Sequence, residues 1–312
     1  MPIPIANTSR NAITAYQALR PAEWLILGMI GVLGGATVLL TWALQRQVNW
    51  QPFLVGILLT HLMIALGVYA RVGKAAPRLA LCTIGIGLFM GFTAISTIFI
   101  YALFPLPNPL IDLNLMKVDA FLGYDWPSFV AGLAAYPFIA KSLALVYHSS
   151  LPQIGLTIVL LGALGRETAL HRFLFVGIVA LIAAVGIWWV WPSIGPSAFH
   201  TIPSDVQAST GLVFNPRYGD YLRMLVETGP TIISPEMVVG VIAFPSYHMI
   251  MACMVVWFTR GTFAFVPAVL VNLAMIPATL SHGGHHLVDL IMGIVLFLGV
   301  VWIAQKVIVI RP

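Results

Sequence analysis

Charge is scarce in this chain. Of its 312 residues only 8% are Asp, Glu, Lys or Arg, against 60% hydrophobic, where an ordinary soluble domain carries about 25% charged residues. So few charges cannot cover the surface of a water-soluble fold of this size, which excludes a soluble enzyme or binding module. Cysteine is scarce too. Cys82 and Cys253 both lie in long apolar runs, where a thiol acts as a small packing residue, so a disulfide framework and a cysteine zinc site are excluded. The formal charge of +5 comes from dispersed basic residues with no cluster or aromatic interleaving. That argues against nucleic acid as a partner and points to membrane topology. The segment Met1 to Glu23 lacks an apolar stretch, so no cleavable signal peptide is expected. Internal repeats and low-complexity tracts are missing as well.

Long apolar runs are abundant, and the mean hydropathy is +0.98. A span needs about 20 largely apolar residues to cross about 30 Å of hydrocarbon. By that measure eight candidates stand out: Trp24–Leu44, Pro52–Ala70, Leu79–Phe104, Ile139–Leu164, Phe173–Trp191, Tyr247–Phe258, Phe263–Leu280 and Leu287–Gln305. The fourth contains Pro152 and polar residues, and the sixth is short. The expected fold is all-α, a polytopic membrane helix bundle of about eight transmembrane helices, with interfacial helices in two outer segments, Pro105–Phe138 and Pro192–Pro245. Residues 1–104 read as N-terminal peripheral spans and 105–312 as the membrane domain that carries the chemistry, with its catalytic core at 192–305.

Eight spans place both termini on one side. With the termini cytoplasmic, the inner segments hold ten basic residues: Arg10, Arg20, Arg71, Lys74, Arg78, Arg166, Arg172, Arg260, Lys306 and Arg311. The outer ones hold five: Arg46, Lys117, Lys141, Arg217 and Arg223. The excess of Lys and Arg on cytoplasmic loops favours this orientation, in a multi-pass protein of the cell or inner membrane.

Four of the eight histidines, His61, His148, His171 and His200, stand singly and read as hydrogen-bonded structural residues. The others gather at two outer helix ends. His248 belongs to Phe244–His248 (FPSYH), where a loop enters the sixth span. Pro245 suits a first helical turn and Ser246 suits a cap, and the free N–H groups and positive dipole end make an anion site. Ser281–Asp289 (SHGGHHLVD) joins the last two spans. His285 and Asp289, four apart, share one helical face. A carboxylate on one imidazole nitrogen fixes the tautomer and leaves the other as nucleophile or base. A buried pair that merely holds a helix in place is the plainer reading. A second histidine at a neighbouring outer helix start favours a site. His282, His285 and His286 also spell HxxHH, a histidine box resembling those of membrane di-iron enzymes. Those enzymes carry several such boxes, and here there is one. A zinc site from His248, His285 and Asp289 is chemically feasible; the expectation is that no metal and no cofactor is used.

The pairing of FPSYH with HHLVD resembles the type-2 phosphatidic-acid phosphatase (lipid phosphate phosphatase) superfamily, whose second signature is PSxH and whose third ends in HxxxD. Within it the chain looks most similar to the inositolphosphotransferase branch, which includes inositolphosphorylceramide synthase, through the phenylalanine before PSxH, the compact HHxxD and the outer LGYDWP and YLR segments. The resemblance implies that His285 attacks phosphorus to form a phosphohistidine, that Asp289 orients it, and that His248 protonates the leaving alkoxide and then activates water or an alcohol. Two basic elements of the superfamily are missing: its first signature, KxxxxxxRP, and an arginine where His282 stands. The expected phosphate-binding residues are therefore Arg223, Ser246, His282, Arg217 and Lys117, with Lys141 a weaker candidate.

The expected function is a metal-independent lipid phosphatase or phosphotransferase at the outer membrane face. Its partners would be the bilayer, a lipid phosphate or phospholipid substrate and a lipid-alcohol acceptor. The alternatives are transfer of a phospholipid headgroup to a lipid alcohol and, in a different class, a proton-coupled transporter of lipids or small molecules.

Overall fold

The computed structural model describes residues 18–73 and 76–309. Residues 1–17 of the N-terminal stretch in which no signal peptide is expected lie outside them, as do Arg10, Lys74 and Arg311 of the sidedness count. Among the described residues the chain is helical and forms no strand. We number the helices α1 (Pro21–Ala43), α2 (Trp50–Val72), α3 (Pro77–Ala102), α4 (Asp112–Phe121), α5 (Trp126–Ala134), α6 (Pro137–His148), α7 (Ser150–Ala163), α8 (Glu167–Val190), α9 (Ser204–Thr210), α10 (Pro216–Thr228), α11 (Tyr247–Phe258), α12 (Phe265–His282) and α13 (Leu287–Val307).

Six helices, α1, α2, α3, α8, α12 and α13, are long and apolar enough to cross a membrane. They are apolar on all sides, as lipid on one face and protein on the other demand. Two expected spans depart from that pattern. Ile139–Leu164 is not one helix: α6 ends at His148, Ser149 intervenes, and α7 starts at Ser150. Ser149 Oγ turns back to the Val146 carbonyl at 2.6 Å and Gln153 Nε2 donates to Ser149 Oγ at 2.8 Å, so the polar residues of this stretch fasten the break. Helix α11 has only 12 residues, about 18 Å at 1.5 Å per residue. The segment before α6 is bent as well, with α5 and α6 meeting at 119° across a short break.

Helix α8 is the hub. It packs against α1, α3, α7, α11 and α13, and Phe173, Val176, Ala180, Ala184 and Trp188 along it are almost fully buried. Helices α1 and α2 flank α3 on the outside, and most of the α2 surface is left facing the lipid. At one end α4, α5, α9, α10 and the loops around them form a cap over α12 and α13, and Trp126 Nε1 ties α5 to the Leu280 carbonyl at 2.8 Å. Small residues set the approach of the helices that carry the site. A Cβ on Gly293 of α13 would stand 2.6 Å from the Ser246 carbonyl at the head of α11. Only glycine lets those two helix starts come together.

Candidate active site

Ser246 is the N-cap of α11. Its Oγ accepts from the Met249 amide at 3.3 Å, and its own amide donates to the Asp289 carbonyl at 3.0 Å. Pro245 lies before this cap instead of within the first turn, because Ser246 occupies the capping position. Among the described residues the amides of Tyr247 and His248 have no protein acceptor, so this helix start presents free donors and the positive end of its dipole. The His248 ring stacks on Tyr147 at 4.5 Å between centroids and meets the His285 ring edge-on at 6.1 Å.

His285 precedes α13, whose first residue is Leu287. Its pairing with Asp289 therefore wraps around the helix start and does not run along a helical face. Nδ1 of His285 donates to Asp289 Oδ2 at 3.1 Å, and the same oxygen accepts from the His286 amide at 2.9 Å. This arrangement leaves Nε2 as the basic nitrogen of His285. Both His248 and His285 line a narrow crevice, together with Tyr147, Phe214, Gly240 and Gly283. Next to the lining residues Ile194 and Gly283, two glycines in the left-handed region meet. Gly195 has φ +85° and Gly284 φ +57°, and a Cβ on Gly195 would lie 2.1 Å from the Gly284 carbonyl oxygen.

Behind the pocket is a second network. The His286 ring sits between two buried carboxylates: Nδ1 donates to Asp119 Oδ2 at 3.1 Å and Nε2 to Asp112 Oδ1 at 3.2 Å. Asp119 also accepts the Leu287 and Val288 amides at 3.1 and 3.0 Å, capping α13 from another helix. Asp112 accepts from Ser193 Oγ and the Gly195 amide, both at 2.8 Å, which fixes the loop against Gly284. With a carboxylate on each nitrogen the ring is an imidazolium. Burial opposes the charge, but Asp112 and Asp119 outweigh it and lift His286 to about 9.

The three histidines of the HxxHH run diverge. His282 Nε2 donates to the Ala140 carbonyl at 2.8 Å, His285 turns to Asp289, and His286 turns to Asp112 and Asp119. Among the described residues no three His, Cys, Asp or Glu side chains converge as metal ligands. His61 and His171 bond the Ile57 carbonyl and Glu23, and His200 stacks on Trp126. His148 meets the Tyr147 ring edge-on.

Of the expected phosphate-binding residues, Ser246 and His282 are buried beside the site with the partners just described. Arg223 donates to the Ala198 carbonyl and stacks over Phe199 at 4.7 Å, so it braces the loop that runs past Gly284. Arg217, Lys117 and Lys141 are exposed, and none of these four basic residues lines the pocket.

Asp112, Asp119 and Tyr147 join the site without standing out in the sequence, and His286, noted there only as part of the HxxHH run, joins it as their partner. Asp112 and Asp119 carried a signal: two acidic residues seven apart, two turns of one helix, in a chain with only ten.

A family model described as the PAP2 superfamily matches residues 113–303, more than half of the chain. No curated protein and no solved structure matches it.

Proposed function

The chain belongs to the PAP2 superfamily, and from that premise we propose that it is a membrane phosphoesterase in which His285 is the nucleophile toward a lipid-linked phosphate. The observation that carries this reading is the pair of histidines facing one pocket, one of them oriented by a buried carboxylate. Two-step phosphoryl transfer requires a nucleophile and a separate proton carrier. Nε2 of His285 attacks phosphorus and forms an N–P bond as the P–O bond to the leaving alkoxide breaks. His248 gives its proton to that alkoxide. In the second step His248 takes a proton from water or an alcohol, whose oxygen displaces the imidazole.

The arginines of the superfamily signatures are missing, so phosphate charge has to be met in another way. The free Tyr247 and His248 amides at the start of α11 supply donors and a positive dipole end beside the nucleophile. His286, held as an imidazolium next to His285 in the chain, adds a fixed positive charge behind it.

The excess of Lys and Arg in the segments read as cytoplasmic supports a site on the outer face under the positive-inside rule. A substrate reaching it from the bilayer keeps its tail in hydrocarbon and presents its phosphate at the helix ends. The FPSYH and HHLVD motifs with the LGYDWP and YLR segments favour headgroup transfer to an alcohol as the second reading.

The test is product analysis with purified protein and His285→Ala as the blank. The substrates are phosphatidic acid, an isoprenyl phosphate and a phospholipid diester, each with and without inositol or ceramide. Free phosphate lost in the variant makes the protein a lipid phosphatase. A new phospholipid formed only with an acceptor makes it a transferase. No product from any substrate overturns the enzymatic reading and favours a carrier.

A further inference from the structure

At the end of the bundle opposite the histidines, α8, α11 and α13 leave an open bay lined by Arg166, Arg172, Arg260, Trp257 and Gln305 among others. Its lining carries three guanidinium groups against one carboxylate, Glu167, which is already ion-paired with Arg20 at 3.2 Å. The arginines are held by neutral groups. Both terminal nitrogens of Arg166 donate to the carbonyls of Arg260 and Gly261 at 2.6 Å. Arg172 Nε donates to the Ile308 carbonyl at 2.9 Å. The Arg260 guanidinium lies 4.0 Å over the Trp257 ring and, among the described residues, has no hydrogen-bond acceptor. Carbonyls and a ring fix the direction of these groups without neutralising them, and each keeps donors to spare from its five. Three oriented, unneutralised guanidiniums in one bay suit phosphate oxygens, which arginine grips in bidentate fashion.

The bay does not end in solvent alone. An apolar groove shares Trp257 and Arg260 with it and runs along α11, α12 and α13 past Cys253, Val256, Ile276 and Leu298. A free anion has no use for such a groove, whereas an acyl chain fills it. We propose that the bay and groove together hold an anionic phospholipid, its phosphate on Arg166, Arg172 and Arg260 and one chain along the groove. Basic pockets between spanning helices take phospholipid headgroups in this manner. The site is separate from the catalytic pocket and stands whether or not the catalytic reading does.

The experiment is native mass spectrometry of the full-length protein in detergent, titrated with phosphatidylglycerol, phosphatidylcholine or inorganic phosphate. Phosphatidylglycerol is expected to bind about 10-fold more tightly than phosphatidylcholine, a difference of about 1.4 kcal/mol, because the guanidiniums repel the choline cation that accompanies the phosphate of the latter. Arg260→Gln, which removes only a stacked guanidinium, and Arg172→Gln each reduce that preference. Ile276→Trp, which fills the groove, weakens both lipids alike. Thermal unfolding establishes that each variant is folded, and Arg260→Gln carries the test if Arg172→Gln is not. Equal affinity for the two lipids, or an Arg260→Gln variant that binds like the parent, overturns the proposal. Displacement of phosphatidylglycerol by inorganic phosphate at comparable concentration does so too, since it would assign the bay to the free anion.

Discussion

His286 Nδ1 donates to Asp119 Oδ2 across 3.1 Å, one of the bonds that join α4 to the start of α13. The same carboxylate caps the first turn of α13, so the residue after the nucleophile is pinned by a helix 167 positions away in the chain. Removing one partner of a buried charged pair leaves the other uncompensated and costs about 3–5 kcal/mol. Asp119→Asn is therefore expected to lower the unfolding temperature sharply and to reduce turnover, although it touches neither histidine of the pocket. Thermal unfolding in detergent alongside product formation checks this. A variant as stable as the parent would remove the clamp from the account.

The clamp also sets a pH dependence. His286 is lifted from its ordinary value of 6.5 to about 9 by Asp112 and Asp119, against the opposing effect of burial. Because the folded value lies above the unfolded one, the stabilisation is fully present below about 6.5. It declines above that and is lost as pH rises through about 9. Unfolding temperature should fall between neutral pH and pH about 10, and Asp112→Asn should flatten that fall. A profile unchanged by the substitution would contradict the assignment.

Asp289 holds His285 by one nitrogen. Replacing it with Asn keeps the shape but removes the charge and permits the wrong tautomer. In catalysts of the Ser-His-Asp kind the equivalent change costs up to about 10⁴ in turnover, and loss of a supporting carboxylate elsewhere costs about 10–100-fold. Asp289→Asn is expected to reduce the rate by about 10²-fold or more with little change in KM. Steady-state kinetics with the best substrate of the panel checks it.

Gly195→Ala places a methyl 2.1 Å from the Gly284 carbonyl at a φ of +85°. Left-handed strain costs a β-carbon about 1–2 kcal/mol even without a clash, and here the opposing atom is backbone that cannot swing away. The substitution is expected to destabilise more than Gly186→Ala, where open space surrounds the added atom. Comparing the two unfolding temperatures decides it.

The sequence was most legible where the relevant distances are local. His248 follows its cap Ser246 by two residues, and His285 stands four before Asp289, so chain geometry alone brings each set together. Spans α1, α2, α3, α8, α12 and α13 were legible because continuous apolarity is a property of composition. The break at Ser149 was not, since it rests on side chains turning back to the helix only once folded. Nor was the clamp: Asp112 and Asp119 meet His286 across 174 and 167 residues, and no periodicity encodes a tertiary contact. Arg223 had the right charge in the right segment, but its direction is set by the Ala198 carbonyl and the Phe199 ring.

In the proposed reaction His285 becomes covalently attached to phosphorus. The most direct measurement of that bond is acid-labile, base-stable phosphate on the protein, trapped by rapid quench during turnover of a phosphorus-labelled lipid. The label is expected to accumulate on wild-type protein, to reside on His285 and to disappear in His285→Ala. In His248→Ala the second step is impaired along with the first, so any label that forms should persist. Turnover that survives in His285→Ala, or label on another residue, would contradict that reaction.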